Sequence, residues 1–355
     1  MTALTTLSPA SRLRPVTTLV PAAGLAVVFY IIIPWVGGDY LLEALLTPFL
    51  ALSLAGVGLN LLTGYAGQLS LGSAAFMATG AYAAYNLQLR LHGLPLEFDI
   101  ILAGIVAAAL GVVFGLPSLR LRGFYLAVST LAAQFFVQWA LTKFSWFSNY
   151  SASGVISTPP LRLFGHPVTT SSGRYLVTLL VATIVTFFVA RLISSPSGLS
   201  FVAIRDHETA AKVIGVPILK TKLLAFSVSS FVIGVAGVLW AFAYLRTVEP
   251  GGFDLDRSFQ ILFMIIIGGL GTIRGPYLGA AFIVVFPLVL SRLGSALFGG
   301  LFDSGHLEMT QRIVLGGLII LFLIIEPDGL SALLDRMIGN RLFGAKRIFA
   351  ATRKA

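Results

Sequence analysis

In a chain only 11% charged, one polar stretch combines opposite charges, an apolar stripe and helix-ending signals: Ser200 to Pro217. Ser200 is placed to accept a first-turn amide hydrogen bond as N-cap, Gly215 offers a left-handed stop, and Pro217 discourages continuation. Between them Glu208 and Lys212 stand four apart in the favourable order, while Ile204, His207, Ala211 and Ile214 share another stripe. The spacing predicts a short helix with one charged and one apolar face. Two uses fit it: resting on anionic headgroups, or docking a cytoplasmic partner.

Other chemistry is scarce. His92, His166, His207 and His306 are scattered without metal-ligand spacing, and no Gly-x-Ser-x-Gly elbow occurs. No lysine follows a glycine, so the chain contains no P-loop. It has no cysteine, which removes disulfides and thiolate chemistry. These absences argue against an enzyme and against a metal or cofactor held by this chain. Glu43, Arg191, Arg292 and Arg312 fall near the ends of apolar stretches, where charged heads can reach headgroups or water. The polarity left inside consists of groups such as Asn60, Gln68, Gln134, Gln138 and Gln260, suited to interhelical hydrogen bonds or to solute contact. A proton- or sodium-coupled carrier needs more than this to bind its ion.

Two glycine clusters interrupt apolar sequence. The first is Gly64-Tyr65-Ala-Gly67-Gln68-Leu-Ser70-Leu-Gly72-Ser73, and the second runs Gly268-Gly269-Leu-Gly271-Thr-Ile-Arg274-Gly275-Pro276. Broken helices of this kind line transport routes, whereas glycine also lets helices pack closely, as Gly111-x-x-x-Gly115, Gly271-x-x-x-Gly275 and Gly275-x-x-x-Gly279 can. The two clusters hint at an internal duplication, parallel if six spans separate them and inverted under another alignment.

The elements that position these residues are membrane helices. The chain has 355 residues, 57% of them hydrophobic, and a mean hydropathy of +0.93. Apolar stretches long enough to cross a hydrocarbon core about 30 Å thick recur from end to end. The expected fold is an all-α polytopic bundle of about ten spans, broken or short at the glycine clusters. The spans fall at about 16–36, 41–62, 68–88, 98–118, 123–142, 174–194, 223–245, 258–272, 276–293 and 309–326. With the N-terminus inside, about 16 of the 24 basic residues lie in inner segments, which places both termini in the cytoplasm. The net charge of +10 therefore reports topology and calls for no nucleic-acid partner. A tail over 1–15 precedes a membrane domain over 16–330, and a basic tail over 331–355 follows. Within the domain, about 195–222 forms an inner segment, and about 143–173 forms an outer loop with Trp139 and Trp146 near the bilayer edge.

Four ordered motifs carry a resemblance from about the second span to the last. They are Gly64-Tyr-Ala-Gly-Gln-Leu-Ser-Leu-Gly72, Leu121-Arg-Gly-Phe-Tyr125, Ala203-Ile-Arg-Asp-His-Glu-Thr-Ala-Ala-Lys212 followed by Gly215, and Ile267-Gly-Gly-Leu-Gly-Thr-Ile-Arg-Gly275. Together they resemble the M-type permease of branched-chain amino acid ABC importers. The resemblance implies a subunit of the bacterial inner membrane that pairs with a second, related permease and docks two ATP-binding subunits. Solute arrives from a periplasmic binding protein, and ATP-Mg stays on the partners. It makes Ile204, Arg205, Asp206, His207, Glu208, Ala211, Lys212 and Gly215 the partner-docking segment. Gly64, Tyr65, Gly67, Gln68, Ser70, Gly72, Ser73, Gly268, Gly269 and Gly271 become the candidates for the route.

Two departures bear on cargo. Family members commonly read Leu-Gly-His where this chain has Leu71-Gly72-Ser73, and often carry a Gly-Gly-rich outer motif where it has Ser151-Ala-Ser-Gly154. Related permeases move urea and short amides, so these stand beside amino acids as cargo. A stand-alone ion-coupled carrier or channel is the competing class.

Overall fold

A computed structural model describes residues 24, 27–91, 95–118, 124–151, 154–163, 166–298 and 329–342, with isolated positions between 313 and 324. The tail over 1–15, most of the tenth expected span, His92, His306, Arg120, Arg122 and Arg312 lie outside the described residues.

The described chain is almost wholly helical. Its helices are α1 (Ile33–Val36), α2 (Thr47–Asn60), α3 (Ser73–Arg90), α4 (Leu96–Ser118), α5 (Phe124–Lys143), α6 (Ser171–Ile193), α7 (Pro196–Val213), α8 (Ile218–Leu239), α9 (Leu255–Gly268), α10 (Gly275–Phe298) and α11 (Gly329–Leu342). Four continuous helical stretches are long and apolar enough to cross a bilayer: Leu41–Tyr65, Leu96–Leu116, Ser171–Ile193 and Ile218–Leu245. Gly275–Leu290 is a shorter apolar one.

Leu41–Tyr65 is α2 with a π-helical turn at each end, Leu41–Leu46 before it and Leu61–Tyr65 after it. Pro48 explains the first. It has no N–H to donate and its ring crowds the preceding turn, so the helix widens, and the Thr47 N–H and hydroxyl both turn to the Leu42 carbonyl.

Burial separates the centre from the rim. In an apolar 18-residue stretch of each span, 83% and 72% of the residues of Leu41–Tyr65 and Ile218–Leu245 are buried, against 39% for Leu96–Leu116 and 28% for Ser171–Ile193. The rim spans expose Phe98, Ile101, Ile105, Ile184, Phe187 and Phe188, a surface that suits lipid and not water. At the centre helices meet through glycine. A side chain at Gly80 would collide with the Gly234 carbonyl, and one at Gly237 with that of Met77, locking α3 to α8. Gly268, Gly275 and Gly279 do the same between α9 and α10.

One end of the bundle carries two small antiparallel pieces. β1 (Ile156–Ser157) pairs with β4 (Thr247–Val248), in register Ile156 with Val248, and β2 (Arg162–Leu163) pairs with β3 (His166–Pro167). The same end holds an ion cluster: Glu43 receives Arg174, the Arg246 guanidinium at 2.7 Å and the Ser171 hydroxyl at 2.7 Å. Trp146, half exposed, lies under Arg90, whose guanidinium carbon is 3.5 Å from the ring centroid. We call this the hairpin end; α7 marks the other.

The expected third span begins later than its apolar pattern suggests. The backbone leaves helix at Ala66 and resumes it at Ser73, so 66–72 is an irregular strand of chain inside the bundle.

Because the Gly237 contact is with backbone, nothing there can yield. Gly237→Ala is expected to destabilise by about 1–3 kcal/mol, read as a lower thermal midpoint in detergent. Gly251→Ala, with open space around it, should leave that midpoint unchanged.

Candidate functional site

α7 begins earlier than its polar pattern suggests. Ser195, in extended backbone, precedes Pro196, whose fixed φ suits the first helical position. Ser200 is therefore no N-cap; it sits inside the helix and its hydroxyl donates to the Pro196 carbonyl at 2.9 Å. The stop is where the sequence puts it. Gly215 has φ +90, its N–H reaches the Lys212 carbonyl at 3.1 Å, and the Val216 N–H reaches that of Ala211 at 3.0 Å, a Schellman end.

His207 alters the rest. Its φ of −158 and ψ of 92 are extended, so the helix is broken in two at this residue. The stripe expected to run through Ile204, His207, Ala211 and Ile214 does not form: Ile204 and Ala211 are buried while His207 and Ile214 are exposed. The Glu208–Lys212 pair does not form either. Glu208 pairs instead with Lys222 of α8 at 3.1 Å, because the break swings its turn toward that helix. Asp206 pairs with Arg205 at 2.9 Å, and Lys212 is exposed.

Arg205 points inward. Its Nη1 donates to the Gly64 carbonyl at 2.8 Å. A side chain at Gly67 would lie 2.8 Å from the Arg205 Cγ, and one at Gly271 3.3 Å from its Nη1. The arginine of the polar helix thus lies where the two glycine clusters meet. Asn60 joins those clusters directly: its amide NH2 donates to the Thr272 carbonyl at 2.7 Å, and its oxygen accepts the Gly271 N–H at 3.0 Å. A Cβ at Gly64 would collide with both Asn60 and the Gly271 N–H. Gly67, Gly269 and Gly271 have φ of +68, +114 and +71, so glycine at these three is a conformational requirement. Gly268, by contrast, serves the α9–α10 packing already described.

From Gly67 the chain runs without helix or strand to α3, with Gln68 and Ser70 buried and Gly67 and Leu69 exposed. Tyr65 is partly buried against the core. At Gly72 a Cβ would meet the Thr130 carbonyl at 2.7 Å. The first-turn amides of α3 are capped from other helices: Ala74 by the Ser258 hydroxyl at 2.9 Å, Ala75 by the Gln134 oxygen at 2.6 Å. Gln134 also donates to the Phe253 carbonyl at 2.9 Å. Both amide atoms of Gln68 and the Ser73 hydroxyl are buried with no hydrogen-bond partner among the described residues. Irregular backbone inside a membrane bundle is tolerated where it is buried in protein or lines a water-filled cavity.

The structure therefore brings together three segments that the sequence keeps apart, 60–73, 205 and 268–272. Thr130, Ser258 and Thr272 carry no local signal, since their partners are 59, 184 and 212 residues away. Thr272 also meets Ser331 of α11 at 3.2 Å. Among the described residues no group of His, Cys, Asp and Glu is arranged to hold a metal.

Removing the Asn60 amide orphans two backbone groups. Asn60→Ala should cost about 1–3 kcal/mol and be seen as a lower thermal midpoint with insertion intact.

Comparison with known proteins places this architecture. Residues 16–323 match the profile of a family described as "Branched-chain amino acid transport system / permease component". The high-affinity branched-chain amino acid transport system permease protein LivM of Salmonella typhimurium is 31% identical over 298 residues, 78% of this chain and 66% of that protein. LivM of Escherichia coli is 30% identical over the same shares, and the probable LivM of Methanocaldococcus jannaschii is 27% identical over 238 residues, 65% of this chain and 66% of that one. The chain thus spans slightly less than two thirds of the length of these relatives. No solved structure matches. With its apolar helices and its match over most of its length, the chain is a multi-pass membrane protein and belongs to the branched-chain amino acid transport permease family.

Proposed function

We propose that this chain is the membrane-spanning permease subunit of an ATP-driven importer that moves branched-chain or related small amino acids. The single observation that supports the mechanism is the contact of Arg205, on α7, with the backbone where both glycine clusters meet. In this reading the subunit has about ten spans with both termini in the cytoplasm, and sits in the bacterial inner membrane. It pairs with a second, related permease, receives solute from a periplasmic binding protein and docks two ATP-binding subunits that carry the ATP-Mg.

The docking surface is the apolar side of the α7 turn. Leu199, Val213 and Ile214 are 70%, 82% and 75% exposed, while Phe201 and Ile204 anchor the helix beneath them. Closure of the ATP-binding partners presses α7 inward. Two polar links carry the movement: Arg205 to the Gly64 carbonyl at the end of the Leu41–Tyr65 span, and Glu208 to Lys222 at the start of α8. Both recipients are the most buried spans of the bundle, so a shift there rearranges its centre and not its rim. Gly64, Tyr65, Gly67, Gln68, Ser70, Gly72 and Ser73, with Gly269 and Gly271, then border the route.

Co-reconstituted with its partners, the chain is expected to take up leucine only with ATP present. Ile214→Glu should lower that uptake at least tenfold while the chain still inserts. Leucine flux through the chain reconstituted alone would refute the importer reading.

A further inference from the structure

We propose that Arg257, held against Trp240 inside the bundle, binds the carboxylate of the solute in transit; this rests on the permease reading above. Arg257 lies in the first turn of α9, one residue before the Ser258 hydroxyl that caps Ala74 at the start of α3. The sixteen residue steps from Ala74 to Arg90 cover about 24 Å of helix, and Arg90 stacks on Trp146 at the hairpin end. Arg257 therefore springs from backbone deep in the bundle, not from its edge. A guanidinium at that depth is expensive, and such charges are found paired or on solute and ion routes.

Pairing does not account for it. Among the described residues no carboxylate comes within ion-pair distance of Arg257. Asp256, its neighbour in sequence, is exposed, and Asp254 caps the α9 backbone by accepting the Arg257 N–H at 3.0 Å. The side chain spends Nη1 on the Gln260 oxygen at 2.5 Å, and its Nε is shut off from solvent with no acceptor. The guanidinium carbon lies 4.3 Å from the Trp240 ring centroid, and the Trp240 ring is itself 4.8 Å from that of Tyr244. One face of the cation is thus fixed by aromatic contact, which holds the planar donors without neutralising them. A planar cation with an unpartnered Nε beside an apolar aromatic wall suits a small solute with a carboxylate at one end and a hydrocarbon side chain at the other.

The position also fits a route. α9 supplies Arg257 at its first turn and ends at Gly268 and Gly269, next to the contact between Asn60 and Gly271. One short helix thereby connects the cation to the turn that Arg205 braces.

The test uses the whole complex in proteoliposomes with leucine-loaded binding protein, reading leucine uptake and ATP hydrolysis in parallel. Arg257→Gln is expected to lose uptake at least tenfold while stimulated ATP hydrolysis stays within twofold, and Arg257→Lys to retain part of the uptake. In a complex with Trp240 as its only tryptophan, emission should respond to millimolar L-leucine and not to L-leucinamide. Wild-type uptake by Arg257→Gln, parallel loss of uptake and hydrolysis, or an equal or absent response to the two probes would each overturn the proposal. Absence of ATP-dependent leucine uptake by the wild-type complex would instead overturn the permease reading.

Discussion

Much at the α7 end of this bundle depends on what happens to backbone that leaves a helix where neighbouring helices crowd it. A peptide group buried there without a partner costs several kcal/mol. The chain breaks helix twice there, after Tyr65 and after Gly268. Asn60, one turn before the first break, answers the second by accepting from one peptide of that cluster and donating to another. Arg205 takes up the Gly64 carbonyl. An amide fits the first task because it carries donor and acceptor in one plane, and a guanidinium fits the second because it reaches in from a neighbouring helix while keeping donors to spare. Two side chains thus convert two local defects into one joint.

That joint sorts the glycines by physical role. Gly67, Gly269 and Gly271 adopt backbone that side chains resist, and Gly64 makes room for the neighbouring cluster. Gly80, Gly237, Gly268, Gly275 and Gly279 let helix backbones touch. The repeated small-residue spacings in the second cluster belong mainly to this packing, although Gly271 belongs to the turn. Close packing of α3 on α8 and of α9 on α10 makes the centre stiff, so under the proposed mechanism movement imposed at α7 is passed on and not absorbed.

The break at His207 gives α7 its dual character. Its first part is anchored by Phe201 and Ile204 and spends Arg205 inward. Its second part turns Glu208 toward α8 and leaves Val213 and Ile214 exposed. An unbroken helix would have put the charged pair on one face and the apolar stripe on the other, and neither arrangement would reach two different spans at once.

The sequence by itself determined the class of the protein. Its hydropathy leaves only a helical membrane bundle, because a bilayer admits backbone that satisfies itself locally, and local pattern is what a sequence displays. The stop at Gly215 and the interruptions at the glycine clusters were legible for the same reason: each is set by residues within a turn of one another. The cap at Ser200, the Glu208–Lys212 pair and the continuous stripe were misread, because Pro196 started the helix earlier and His207 broke its period. What tertiary structure alone decided is which distant groups meet. Asn60 with Thr272, Arg205 with Gly64 and Ser258 with Ala74 are separated by 212, 141 and 184 residues. Such contacts follow from how glycine-thinned helices pack, a property of surfaces in three dimensions that no local spacing encodes.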